Sequence, residues 1–155
     1  MDSLLHTPEG VRDIYNEECS KKNALSAKLD RILKLYGYKD IQTPTFEFFD
    51  IFNRERGSVS SRNMYKFIDR DGSTLVLRPD ITPSIARAVA KYFKEETIPL
   101  RFSYCGNTFI NNSSLQGKMK ETTQLGAELI GDRDIEGDAE VVALAIHLLL
   151  ESGLT

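Results

Sequence analysis

Two side chains four residues apart, Gln124 and Glu128, form a pair with the means to hold a small polar molecule. They lie in Glu121 to Ile130, where alternation puts Thr122, Gln124, Gly126, Glu128 and Ile130 on one face and Thr123, Leu125, Ala127 and Leu129 on the other. Four residues span about 13 Å of strand, and Gly126 between the two removes a side chain where a ligand could lie. An amide and a carboxylate on that face read as the floor of a pocket for such a molecule. The same alternation also describes a half-exposed strand with a solvated face.

Other chemistries lack their residues. No glycine stands five positions before Gly117-Lys118, so there is no phosphate-binding P-loop. His6 and His147 have no His or Cys neighbour at metal-ligand spacing, and neither a metal nor a cofactor is implied. His147 interrupts an apolar helical pattern, as a packed histidine does. Cys19 falls in a helical region and Cys105 in a strand, where a cysteine is more often a small buried hydrophobe than a nucleophile. Lys118 and Lys120 could meet a phosphate, but paired lysines at a loop end are usually solvated.

The elements that must position these residues follow from periodicity. Leu25, Leu29, Ile32, Leu33 and Tyr36 share one helical face, and Gly37 is its stop. Tyr38 to Pro44 reads as a short strand, Phe46 to Phe52 as an aromatic segment for core or interface, and Arg54 to Arg62 as a mobile loop. Met64 to Asp69 and Ser73 to Arg78 flank an Asp-Gly turn, which predicts an antiparallel hairpin. Thr82 as N-cap and Pro83 behind it open a helix to about Tyr92, with Ile85, Ala86, Val89 and Ala90 as its apolar face. A strand from Leu100 to Cys105 and a polar loop from Asn111 to Lys118 follow. The last helix runs from Asp138 to Gly153 and carries Val141, Val142, Leu144, Ala145, Leu148 and Leu149. Hairpin-joined strands between helices predict an α+β fold with a mainly antiparallel sheet.

Length and composition bound the function. The chain has 155 residues, 41% hydrophobic and 28% charged, which predicts one ordinary globular domain over 1–155. A formal charge of -3 argues against capture of polyanions, tRNA among them, by bulk electrostatics, so any nucleic-acid contact would have to be local. Two cysteines suit a reducing cytoplasm, and no apolar run reaches membrane-spanning length.

Longer motifs carry a resemblance. In order, Thr7-Pro8-Glu9-Gly10-Val11-Arg12-Asp13, Tyr36-Gly37-Tyr38 with Thr43-Pro44, Met64-Tyr65-Lys66-Phe67, Leu77-Arg78-Pro79-Asp80, Gln124-Leu125-Gly126-Ala127-Glu128 and Asp138-Ala139-Glu140-Val141 resemble the core of histidyl-tRNA synthetase. The resemblance covers nearly the whole chain. It implies a class II aminoacyl-tRNA synthetase-like core and a homodimer with the Thr43-Pro44 segment in its interface. Family members are longer, with a third motif and a further histidine-recognition loop, which implies that 1–155 is the N-terminal part of such a domain.

Two departures bear on activity. Where active synthetases carry Phe-Arg-x-Glu, this chain has Phe109-Ile110-Asn111-Asn112. The resemblance gives that arginine the α-phosphate of ATP, a task isoleucine cannot perform. Asp80-Ile81-Thr82-Pro83 is closer to the synthetase paralogue that serves as regulatory subunit of ATP phosphoribosyltransferase. The resemblance therefore implies a non-catalytic subunit in the first step of histidine biosynthesis, partnered with a short catalytic subunit and possessing an amino-acid pocket at Asp80, Thr82, Gln124 and Glu128. The competing readings are a histidyl-tRNA synthetase fragment that forms histidyl-adenylate and a generic α+β interaction module.

Overall fold

The computed structural model describes residues 5–53, 59–112 and 117–154. Residues 54–58 of the expected Arg54 to Arg62 loop, and 113–116 of the expected 111–118 loop, lie outside the described residues. The chain divides into two compact units. One comprises Met1–Asp13, Thr43–Lys94 and Gly106–Gln124, and the other Ile14–Gln42, Glu95–Cys105 and Leu125–Thr155.

In the first unit, β2 (Phe46–Phe48) runs into the short helix α2 (Phe49–Asn53). One 3-10 turn, Ser61–Asn63, then precedes the hairpin of β3 (Lys66–Ile68) and β4 (Thr74–Leu77). The hairpin is antiparallel as expected, with Phe67 opposite Leu75. Its turn closes by the Gly72 N–H donating to the Asp69 carbonyl at 3.0 Å. Gly72 has φ +85, a conformation in which a Cβ is strained, hence the Asp-Gly pair. Strand β2 pairs on the other side of β4, giving the order β2-β4-β3. Phe52, Met64 and Val76 form the core of this unit. Of the expected aromatic cluster, Phe52 is buried, whereas Phe46 is 54% and Phe48 56% exposed. Helix α3 (Thr82–Tyr92) completes the unit.

In the second unit, α1 (Asn16–Leu35) ends where Gly37 predicts. Gly37 has φ +83, its N–H donates to the Lys34 carbonyl, and the Tyr38 N–H donates to the Leu33 carbonyl. This Schellman closure drops Tyr38 back onto Leu33, and both join Ile32 and Leu144 in a core. The strand expected over Tyr38 to Pro44 shrinks to β1 (Lys39–Asp40) and pairs in parallel with β5 (Leu100–Phe109). Tyr38 is spent on the helix cap, which shortens the strand. The sheet order is β1-β5-β6, with β6 covering Glu121–Ile130 as expected. Helix α4 (Ile135–Glu151) starts three residues before the expected Asp138. Gly137 sits within its first turn because the Asp132 carboxylate packs where a side chain would stand. His147 is packed as expected, its Nδ1 3.3 Å from the Tyr36 hydroxyl. Cys105 is exposed rather than buried.

The buried Tyr38 phenol donates to Glu140 Oε1 at 3.2 Å, and Arg101 grips the same carboxylate through Nε at 2.7 Å and Nη2 at 2.6 Å. Burial, then the Glu140 charge, pushes the Tyr38 hydroxyl up to about 12. The Arg101 hydrogen bond holds the Glu140 carboxyl below its ordinary value. A raised phenol contributes stability that is complete below the unfolded value near 10 and lost as pH rises toward 12. Tyr38→Phe should lower stability by about 1 kcal/mol at pH 8, through the lost hydrogen bond, and this deficit should shrink above pH 10. Urea midpoints of both proteins between pH 8 and 11 check this, and a deficit constant with pH would refute it.

Candidate functional site

Strand β4 delivers Arg78, Pro79 and Asp80 to the start of α3. Arg78 is buried and pins three backbone carbonyls from two chain segments. Its Nε donates to the Asn107 carbonyl at 2.8 Å, and its Nη1 donates to the carbonyls of Thr43 at 2.8 Å and Pro44 at 3.3 Å. Burial lowers its pKa. Gly106 has no side chain because Arg78 Nη2 occupies that space. Sequence reasoning assigned Arg78 no role of its own; the only signal was an arginine directly before Pro79-Asp80.

Asp80 caps α3. Its Oδ1 accepts from the N–H of Ile81 at 2.6 Å and from that of Thr82 at 3.4 Å. The N-cap position is therefore Ile81, and Thr82 is the first helical residue rather than the expected cap. The Asp80 carboxylate already sits at the positive helix end, which relieves Thr82 of that task. The expected apolar face of α3 is also rotated. Ser84, Ile85 and Ala88 are buried, whereas Ala86 and Ala90 are exposed. Asp80 and Thr82 line one groove of about 820 Å³, with Ile51, Phe52, Ala86 and Ala90 on its apolar walls and Lys91 and Lys94 on its rim. Arg87, also on the groove, pairs at 2.6 Å with Glu47, a carboxylate only 8% exposed. The structure thus brings Asp80 and Thr82 together.

Gln124 is exposed on the first unit's part of β6 and is not among the residues lining that groove. Glu128 is half-buried in the second unit, where its charge adds to the upward push on Tyr38. Leu125 and Ala127 pack against the Ile32, Leu33, Tyr38 and Leu144 core, so Gly126 and Glu128 share the opposite face, as alternation predicts. The space over Gly126, expected to be open to a ligand, holds the phenol of Tyr104.

At the departures from the synthetase pattern, backbone pairing dominates. The Ile110 N–H donates to the Lys120 carbonyl at 2.9 Å, and Asn112 Nδ2 donates to the Met119 carbonyl at 3.2 Å. These contacts close the β5 and β6 hairpin, and neither side chain supplies a cation. Among the described residues no group of three or more His, Cys, Asp or Glu side chains is placed to hold a metal. No helix of the described residues is long and apolar enough to cross a membrane.

Helices interleaved with an antiparallel-rich set of strands, an Asp80-capped helix and the long β5 and β6 pair define a class II aminoacyl-tRNA synthetase-like α+β fold. The histidyl-tRNA synthetase family model matches residues 10–155, and the chain belongs to that family. It is 43% identical over 97% of its length to the ATP phosphoribosyltransferase regulatory subunit of Ruminiclostridium cellulolyticum. The crystal structure of an ATP phosphoribosyltransferase regulatory subunit/histidyl-tRNA synthetase from Bacillus halodurans C superposes with a TM-score of 0.89 at 37% identity, covering 100% of this chain. Apo histidyl-tRNA synthetase of S. aureus gives 0.77 at 31% identity over 94% of this chain. The chain spans 36% of the Ruminiclostridium relative, 40% of the Bacillus chain and 34% of the S. aureus chain.

Proposed function

We propose that the protein to which this chain belongs is the regulatory subunit of an ATP phosphoribosyltransferase, which activates a short catalytic subunit in the first step of histidine biosynthesis and binds histidine. The observation that carries this reading is the 43% identity, over 97% of the chain, to a relative bearing that name. Ile110 and Asn112, in place of the synthetase arginine and glutamate, support it against an adenylate-forming synthetase. Asp80 accepts from the α-ammonium of the ligand and Glu128 from its imidazole N–H, while Thr82 and Gln124 add neutral hydrogen bonds. The protein is a cytoplasmic homodimer whose interface includes the Thr43-Pro44 segment.

A synthetase fold that keeps an amino-acid pocket without phosphate chemistry is suited to sensing, because ligand binding in one subunit couples to the state of another through their shared interface. The test is phosphoribosyl-ATP formation by the short catalytic subunit alone and with the full-length protein. Stimulation by the full-length protein and a response to histidine are expected, with much weaker stimulation by residues 1–155. Equal rates in the first two mixtures, with no co-elution on gel filtration, would sink the reading.

A further inference from the structure

Helix α4 is apolar on two sides. From Val141 to Leu150 it holds no Asp, Glu, Lys or Arg. One side buries Leu144 in the core of the second unit. At about 100° per residue, Val142, Ile146, Leu149 and Leu150 gather on the opposite side of the helix. There they are 59%, 53%, 53% and 61% exposed. A helix at the surface of a finished domain sets one apolar stripe against a charged face, whereas one that is apolar all round belongs in an interior. Four large side chains in an unbroken stripe form a docking face, unlike surface hydrophobics scattered singly.

The closure of α4 points to the occupant. Gly153, at φ +94, donates its N–H to the Leu150 carbonyl at 3.1 Å, and the Leu154 N–H donates to the Leu149 carbonyl at 3.3 Å. The same pair of bonds ends α1 at Gly37, where Tyr38, the residue after the glycine, is drawn back onto Leu33 and buried. Leu154 holds the position of Tyr38 and is drawn back toward Leu149 of the stripe, yet it is 62% exposed. Such a closure reverses the chain, so residues beyond it run back along the open side of α4. The chain spans only 36% of the Ruminiclostridium relative, and a protein of that length has ample chain to cover the stripe. We infer that the stripe of Val142, Ile146, Leu149 and Leu150 is an intramolecular seat for the segment that follows residue 155 in the full-length protein. Helix α4 is then an inner layer of that protein. A segment tethered this closely reaches the stripe at high effective concentration and displaces a second copy or the catalytic subunit from it. This goes beyond the regulatory reading and does not depend on it.

The experiment is iodoacetamide labelling of the Ile146→Cys variant of the full-length protein, read on the α4 peptide by mass spectrometry. In native protein without the catalytic subunit, labelling about a hundredfold slower than in urea is expected, because the thiol then reacts only after local opening. The same protection should hold across a wide range of protein concentration. Labelling within about tenfold of the unfolded rate would show an uncovered stripe and overturn the inference. Protection that appears only when the catalytic subunit is added would assign the stripe to that partner, and protection lost on dilution would assign it to a second copy. Either result overturns the intramolecular seat. If Ile146→Cys fails to fold, hydroxyl-radical footprinting of the unmutated full-length protein decides the matter, with Ile146, Leu149 and Leu150 oxidised far more slowly than in urea if the seat is filled. The phosphoribosyl-ATP assay tests the regulatory reading separately, so the two fail independently.

Discussion

Histidine-dependent exchange of pyrophosphate into ATP by the full-length protein is expected to run at least a hundredfold to a thousandfold below the rate of an active synthetase, the usual loss when one fixed donor to developing transition-state charge is removed. The argument begins with charge. Attack of the amino-acid carboxylate on the α-phosphate places negative charge on oxygens that a planar, permanently protonated guanidinium holds best. Position 110, where the resemblance places that arginine, is isoleucine. Its neighbour Asn112 spends its amide on the Met119 carbonyl. Exchange at rates typical of synthetases would remove the regulatory reading and restore the adenylate-forming one. Phosphoribosyl-ATP assays and exchange assays thus fail independently, so the two readings can be told apart.

The second large effect concerns the fold. Arg78→Met should destabilise the protein by about 3–5 kcal/mol, because hydrogen bonds to a charged group contribute about 1.5–3 kcal/mol and an orphaned buried carbonyl costs a further 1–3. The carbonyls of Thr43, Pro44 and Asn107 all accept from this one guanidinium. Arg78→Lys should rescue little of the loss, since a single ammonium cannot span three acceptors in different directions. Gly106→Ala should act on the same cluster, as its Cβ would meet Arg78 Nη2. Chemical denaturation of the full-length variants measures the effect. A loss under 1 kcal/mol for Arg78→Met would show that the carbonyls find water instead. Asp80 follows two residues later, so loosening Arg78 should also weaken whatever Asp80 binds.

Much of this was legible in the residues themselves, and the reasons are local. Gly37 ends α1 and Gly72 closes the hairpin because each adopts a positive φ that other residues resist. Strand β6 keeps Leu125 and Ala127 on the core side because alternation along a strand is fixed by the pleat. The order of motifs from Thr7 to Val141 carried the family, and with it Ile110 as a missing cation.

What only the tertiary structure decided depends on partners distant in sequence. Alternation could place Gly126 on a face but could not say that Tyr104, from another strand, lies on it. Periodicity along α3 marked Ala86 and Ala90 as apolar, yet packing chose the face through Ser84, Ile85 and Ala88, because helix orientation follows the surface it meets. Thr82 had the residue type of a cap, but the helix begins one residue earlier: the Ser84 and Ile85 N–H groups go to the Ile81 carbonyl, while the Asp80 carboxylate takes the N–H groups of Ile81 and Thr82. Arg78 carried no local sign of its three carbonyls, since those acceptors come from backbone at Thr43, Pro44 and Asn107, and a sequence does not reveal which carbonyls folding will leave in need of a donor.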